Sequence, residues 1–347
     1  MKQTMKAAVM TGIREMSIIE KEIPKPKPDE VLVQIQAVGI CGSDLHYYAE
    51  GRIGDFVVEP PFVLGHEASG VVVEVGSGVR HLKTGDRVAL EPGKTCGRCA
   101  FCRSGRYNLC PDVAFFATPP VDGVFQEYVA HEAALCFKLP GPVDAISGAL
   151  IEPLSVGFHA VRQGEAHIGQ SAVIFGSGCI GLSVLLALRS IGVYNVTVVD
   201  ILDNRLEKAK QMGARQVING KETDVLAALS EITEGQGFDL AFETAGLELT
   251  TRQAMSAVKK GAVIVLIGYS ASGEMNLKMS LALDKELTFK TVFRYRHLYP
   301  VAISAVACGL SDVSRLVTHY YDFHEIKRAM DESLDHKDQI VKAVVRF

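Results

Sequence analysis

Residues 172–191 constrain this chain more tightly than any other stretch. Ala172-Val-Ile-Phe175 reads as a short buried strand, Gly176-Ser-Gly178-Cys-Ile-Gly181 as a tight turn, and Ile180–Ile191 as an apolar helix. The next β-branched run, Asn195–Val199, ends at Asp200, nineteen residues beyond Gly181. A strand, a G-x-G-x-x-G turn, a helix and an acidic residue closing the second strand together make a nucleotide-binding βαβ unit. The first glycine makes the turn, the second lets backbone approach a pyrophosphate, and the third lets helix pack on strand. Free N–H groups at the helix start face the phosphates. A dinucleotide is therefore expected at Gly176, Gly178, Ile180 and Gly181, with Asp200 accepting from the ribose hydroxyls. A carboxylate there repels a 2′-phosphate by roughly 3 kcal/mol per unit charge at 5 Å and an effective dielectric of 20. Ile201 follows rather than a basic residue, and Arg205 lies close enough to pack near the adenine, so NAD is expected over NADP. The plain alternative is that Asp200 only caps the next helix.

The same alternation continues with a helix over Asn204–Met212 and strands at Asp239–Phe242 and Ala262–Ile267, which implies a parallel sheet with crossover helices. Before about residue 155 the texture differs. Val31–Ala37, Val71–Val75 and Arg87–Leu90 read as strands among dense prolines and glycines, and no long amphipathic helix is expected before about Ile146. An all-β, barrel-like domain carrying functional loops is the economical reading. A chain of 347 residues suits two such domains. The last fifty residues, from about Arg294, mix helix and strand and could return to the first domain.

A net charge of −4 gives nucleic acid or an anionic membrane nothing to hold. Met1–Gly12 has lysines but no apolar run of leader length, and Val184–Leu188 and Ala262–Ile267 are far short of a membrane span. The expectation is a cytoplasmic protein.

Four of the eight cysteines fall within fifteen residues, as Cys96-x₂-Cys99-x₂-Cys102-x₇-Cys110. In a large chain without an export signal this spacing favours metal over disulfides. Four thiolates close a tetrahedral zinc site that stabilises a loop and does no chemistry. An iron–sulfur run also ends in Cys-Pro, as Cys110-Pro111 does, but its last spacing is three residues rather than seven. A second, dispersed set comprises Cys41, His66 and Glu67, with Glu152 farther on. Thiolate, imidazole and carboxylate make three ligands and leave a fourth position open, as catalytic zinc requires. Spacing alone leaves open whether these residues converge; each could be a packed thiol, a bonded loop histidine or a surface charge.

Here the chain resembles the zinc-containing medium-chain dehydrogenases, and within them the sorbitol (L-iditol) and xylitol dehydrogenase branch. Gly65-His-Glu67, the four-cysteine lobe and the Gly176–Gly181 turn carry the family resemblance. Cys41-Gly-Ser-Asp-Leu-His-Tyr47, Ala117-Thr-Pro-Pro120, Ile151-Glu-Pro-Leu-Ser-Val-Gly157 and Val292-Phe-Arg-Tyr295 carry the branch. The resemblance implies a GroES-like β-barrel catalytic domain over 1–154 and 295–347, with a structural zinc lobe at 91–112. It implies a Rossmann-fold NAD-binding domain over 155–294, with the active site in the cleft. One catalytic zinc would be held by Cys41, His66 and Glu67, and one structural zinc by Cys96, Cys99, Cys102 and Cys110. Glu152 would bond the metal's water or the substrate. Tyr47, Phe116, Thr118, Arg294 and Tyr295 would line a polyol pocket, and Gly268 and Phe293 would join the cofactor site. A homotetramer is implied too. After Tyr295 the chain reads Arg296-His-Leu-Tyr299, unlike the animal sorbitol enzymes, which leaves the roles of Arg296 and His297 open.

Ser43 and His46 are spaced like a proton relay, the hydroxyl taking the alcohol's proton and the imidazole passing it on. The polar pocket argues for a polyol over ethanol, because a site built to bond hydroxyls rejects substrates lacking them. The product would be a ketose, as for an L-iditol 2-dehydrogenase or a D-xylulose reductase. The rivals are a threonine-type or other secondary-alcohol zinc dehydrogenase, a non-catalytic NAD sensor and a zinc-lobed nucleic-acid binder. His81 and His131 are read as surface or loop residues, and Cys136, Cys179 and Cys308 as packed thiols.

Overall fold

Strand Glu30–Gly39 is the spine of the N-terminal sheet. Its β-branched and small residues, Val31, Val33, Ile35, Ala37 and Val38, are buried, while Gln34 and Gln36 face outward. It pairs antiparallel with Glu67–Val75, with Tyr128–Glu132 and, at its far end, with Ala343–Arg346 from the C-terminal tail. Arg87–Leu90, Cys136–Lys138 and His319–Asp322 complete a seven-stranded sheet. A three-stranded sheet of Glu15–Glu22, Thr4–Gly12 and Phe62–Val63 accompanies it. Val33, Ile35, Tyr48, Leu64, Leu90, Phe125 and Met330 belong to one apolar core.

These features come from a computed structural model describing residues 3–270 and 273–347. Residues 1, 2, 271 and 272, which the expected domain ranges and the expected absence of a leader include, lie outside the described residues. The chain divides into two units, one of 1–152, 299–307 and 317–347, the other of 153–298 and 308–316. The division thus falls two residues before the expected 154 and after Leu298 rather than 294, and residues 308–316 group with the second unit.

In the second unit six strands form one wholly parallel sheet. Across the sheet they run Gln216–Asn219, Asn195–Asp200, Ser171–Phe175, Phe238–Glu243, Val258–Leu266, Thr288–Thr291. In chain order that is third, second, first, fourth, fifth, sixth, the Rossmann arrangement. Strand order reverses beside Ser171–Phe175, and ligands bind at the carboxyl end of such a switch point. Helix Cys179–Ser190 begins there.

The helix Gly42–Glu50, before Ile146, is nine residues long, too short to be the long amphipathic helix whose absence is expected there. Two readings need correction. His131 is neither surface nor loop: it is buried on Tyr128–Glu132, its Nε2 2.8 Å from the Glu91 carbonyl. Cys308 is exposed rather than packed, while Cys136 is buried. Among the described residues no helix is long and apolar enough to cross a membrane.

Candidate active site and metal centres

The dispersed set converges. One ligand atom each from Cys41, His66 and Glu67 lies within 4.8 Å of the others, with His66 and Glu67 buried. Tetrahedral zinc bonds of 2.0–2.3 Å place donors about 3.3–3.8 Å apart, so small side-chain adjustments suffice to close on the ion. Cys41 stands at the N-terminal cap of helix Gly42–Glu50 and His66 in the loop before strand Glu67–Val75. Glu67 opens that strand opposite Gly39. A side chain at Gly39 would overlap the Glu67 carboxylate, so glycine is what leaves room for it.

Two residues that the sequence reading passed over organise this cluster. Asp44 is fully buried and accepts from the Cys41 N–H at 3.0 Å and the Gly65 N–H at 2.9 Å. Its Oδ1 is also 3.5 Å from Nδ1 of His66. Burial would push the Asp44 carboxyl up, but the His66 charge and these bonds hold it below the ordinary carboxylate value. Burial would likewise lower His66, yet Asp44 and Cys41 raise it well above an ordinary imidazole. Such an anionic surround favours a cation, and a carboxylate behind a ligating histidine is a recurrent metal-site device.

Lys342 is the second. Its Nζ donates to both Glu67 oxygens at 2.8 Å and to the Ile40 carbonyl at 2.9 Å, and both side chains are almost wholly buried. Each carboxylate oxygen keeps a lone pair beyond the one given to Lys342, so the donor set still fits a zinc ion. Asp44 was legible as part of the Cys41–Tyr47 motif; Lys342, over 270 residues from Glu67, carried no local signal.

The cysteine lobe also closes. The sulfurs of Cys96, Cys99, Cys102 and Cys110 lie within 4.8 Å of one another, Cys96 and Cys102 at 4.0 Å. Four ligands on one zinc stand about 3.8 Å apart. Backbone N–H groups of Cys96, Cys99 and Cys102 donate to the sulfurs of Cys110, Cys96 and Cys99, each at 3.4 Å. Hydrogen bonds from the Arg98 and Cys99 backbone hold the Cys96 thiol down at about 7. The lobe is tied to the barrel through Tyr107, whose hydroxyl donates to buried Glu91 at 2.7 Å.

Glu152 is buried in the first turn of helix Ile151–Gln163, Tyr47 is buried on helix Gly42–Glu50, and Phe116 packs on the His131 ring at 4.6 Å. Thr118 closes a turn with Val121. Ser43 and His46 share one short helix, but His46 is exposed and its Nε2 lies 3.2 Å from Glu50 rather than against Ser43.

In the second unit the turn has the expected form. Gly176 takes a left-handed φ of 95°, and a Cβ on Gly181 would overlap the Gly176 carbonyl. Asp200 Oδ2 accepts from the Ser177 N–H at 2.6 Å, and its Oδ1 from Ile201 and Leu202 at 2.7 and 3.1 Å. These bonds fix the carboxylate at the strand end, and the next helix, Asp203–Gln211, takes Leu202 and not Asp200 as its N-cap. Arg205 reaches within 3.8 Å of where a Gly178 side chain would begin. Gly268 and Phe293 follow the strands ending at Leu266 and Thr291, on the same carboxyl edge of the sheet. Buried Glu243, also passed over, gathers the N–H groups of Ala245 and Gly246 and the Thr250 hydroxyl. Arg294 and Tyr295 follow the edge strand, Arg294 with its guanidinium 4.8 Å over the Phe293 ring.

A β-rich unit with two metal-ligand clusters and a Rossmann unit with its glycine turn define a metal-binding dehydrogenase. Comparison with known proteins agrees: residues 27–141 match the alcohol dehydrogenase GroES-like domain and residues 179–307 the zinc-binding dehydrogenase domain. The chain belongs to the zinc-containing medium-chain dehydrogenases. It is 44% identical over 343 residues to a sorbitol dehydrogenase of Bacillus subtilis, covering 99% of this chain and 97% of that one. A solved oxidoreductase of unknown specificity from Escherichia coli superposes with a TM-score of 0.95 at 42% identity, covering 99% of both chains. A short chain alcohol dehydrogenase from E. coli, complexed with cofactor NADH, superposes at 0.92 with 31% identity over 100% of both.

Proposed function

We propose that this enzyme oxidises a secondary hydroxyl of a polyol of the sorbitol or xylitol kind to the ketose, with NAD and a zinc ion held by Cys41, His66 and Glu67. The observation that carries the reading is the convergence of that buried donor set, with Asp44 behind His66. Similarity to a named sorbitol dehydrogenase over nearly the whole chain supports the substrate class. When bound, zinc supplies a Lewis acid that makes the hydroxyl acidic, and NAD supplies the hydride acceptor.

The chain's own groups do the rest. Asp44, facing Nδ1, orients the His66 ring so that Nε2 is its ligand atom. Glu152, Tyr47, Thr118, Arg294 and Tyr295 bond and orient the polyol hydroxyls, and Phe116 packs beside them. Ser43 Oγ receives the proton and His46 carries it away, which requires His46 to leave Glu50. Cys96, Cys99, Cys102 and Cys110 hold a second zinc that fixes their lobe. Gly176, Gly178, Ile180, Gly181, Asp200, Arg205, Gly268 and Phe293 bind the dinucleotide, Asp200 selecting NAD. Residues 1–154 with 295–347 act as the catalytic domain and 155–294 as the cofactor domain. The enzyme works as a cytoplasmic homotetramer.

The test follows NAD reduction with sorbitol, xylitol, galactitol, threonine and ethanol. Turnover of polyols with threonine and ethanol near zero is expected. Turnover of threonine alone would contradict the substrate class, and no turnover anywhere with zinc bound would leave a sensor.

A further inference from the structure

The helix Ile151–Gln163 ends in two residues that grip the last residue of the sheet's edge strand and the segment after it. Gln163 Nε2 donates to the Thr291 carbonyl at 3.0 Å, and Arg162 Nη2 donates to the Arg296 carbonyl at 2.7 Å. The same Arg162 nitrogen lies 3.1 Å from Nδ1 of His159, one turn earlier on the helix. A guanidinium only donates, so Nδ1 of His159 accepts and the ring carries its proton on Nε2. His159 is 1% exposed. Its burial, then the charges of Arg162 and Arg296, pull the ring down to about 4, which keeps that acceptor available at neutral pH. The two hydrogens of one Nη2 group are thus divided between a fixed ring and a loop carbonyl.

The gripped segment needs holding. Arg294 and His297 both lie in the left-handed region, at φ 56° and 55°, where residues other than glycine are uncommon. Such conformations persist only where their surroundings over-determine them. They flank Tyr295 and Arg296, so the backbone reverses its preference on either side of the carbonyl that Arg162 holds.

We infer that Arg162 is a positioning residue for polyol recognition: braced by His159, it fixes the 293–297 turn through the Arg296 carbonyl and so aims Arg294 and Tyr295. The inference rests on the reading of Arg294 and Tyr295 as polyol-binding residues. It also gives the basic stretch after Tyr295 a use, since the main chain of Arg296 serves as the handle. Hydroxyl recognition depends on donors placed within fractions of an ångström, so a loosened turn weakens substrate binding before it touches the chemistry.

The experiment compares wild-type holoenzyme with Arg162→Met and Arg162→Lys. Arg162→Met is expected to raise KM for the polyol about tenfold with kcat within about twofold, with the melting midpoint unchanged. Arg162→Lys, which keeps a donor for the Arg296 carbonyl, is expected to recover most of that loss. Unchanged KM in Arg162→Met, or a rise in KM matched by a fall in melting midpoint, would overturn the assignment. Amide exchange across 292–298 provides a readout independent of substrate: faster exchange in Arg162→Met, confined to that segment, supports the brace, and unchanged exchange removes it. Should the wild type turn over no polyol, the proposed function falls, and exchange alone still decides whether Arg162 holds the turn.

Discussion

Lys342 holds both oxygens of Glu67 at 2.8 Å, with the two side chains 3% and 1% exposed. The pair lies where the C-terminal tail, entering strand Ala343–Arg346, pairs with the end of strand Glu30–Gly39, whose other side pairs Gly39 with Glu67. The tail therefore does more than finish the sheet: it supplies the buried cation that pairs with the Glu67 carboxylate. Removing one member of a buried pair leaves the other's charge uncompensated, which costs more than the pair itself contributes.

Lys342→Met tests this. The substitution keeps the apolar stem and leaves Glu67 alone, at a cost of about 3 kcal/mol and a melting midpoint lowered by about 5 °C. Adding Glu67→Gln should restore part of the loss. Single and double variants that melt with the wild type would show that Lys342 does not serve Glu67.

Glu91 gives the fold a pH signature. Burial, opposed by its bond from Tyr107, pushes this carboxyl up to about 7. A raised folded-state value means that its stabilising contribution is present at low pH and fades as pH rises through 7. Glu91→Gln stays neutral, so its stability relative to wild type should grow between pH 5 and pH 8, by up to about 3 kcal/mol. His131, pulled down to about 4 by burial, acts oppositely, favouring the fold increasingly from pH 4 to 6.5, but it is common to both proteins. Melting curves with parallel pH dependence would rule Glu91 out.

The proposed function gives Asp200 the choice of dinucleotide. Asp200→Asn keeps an acceptor for the Ser177 N–H and removes the charge facing a 2′-phosphate. Preference for NAD over NADP, measured as the ratio of kcat/KM values, should narrow by about 100-fold, the equivalent of roughly 3 kcal/mol. An unchanged ratio would assign discrimination elsewhere, and Arg205 would be examined next.

His46 offers a test of the relay. His46→Gln should lower kcat about tenfold or more and alter the pH profile, since a positioned proton-transfer group contributes about 10²–10⁴-fold. Unchanged rate and profile would leave His46 as the partner of Glu50 that the structure gives it.

Local patterning made the parallel sheet readable. Val173, Ile174, Val198 and Ile264 sit in short apolar runs, and the turn at Gly176–Gly181 falls between strand and helix, so period and punctuation agreed. The cysteine lobe was readable because its ligands are close in sequence. Cys41, His66 and Glu67 are dispersed, and only the resemblance joined them before the fold brought them together. Lys342 and His131 were not readable, because burial of a polar residue depends on a partner distant in the chain: Glu67 for the first, the Glu91 carbonyl for the second. Helix Gly42–Glu50 escaped because Cys41 and Asp44 cap it, and caps are weaker signals than periodicity.

The most direct test of the account measures zinc content and polyol-dependent NAD reduction of Cys41→Ser beside wild type. The account predicts two zinc ions per wild-type chain and one in the variant, with turnover lost and the fold retained, because the four-cysteine lobe keeps its own ion. A variant that holds two zinc ions and turns over polyol at the wild-type rate would contradict it.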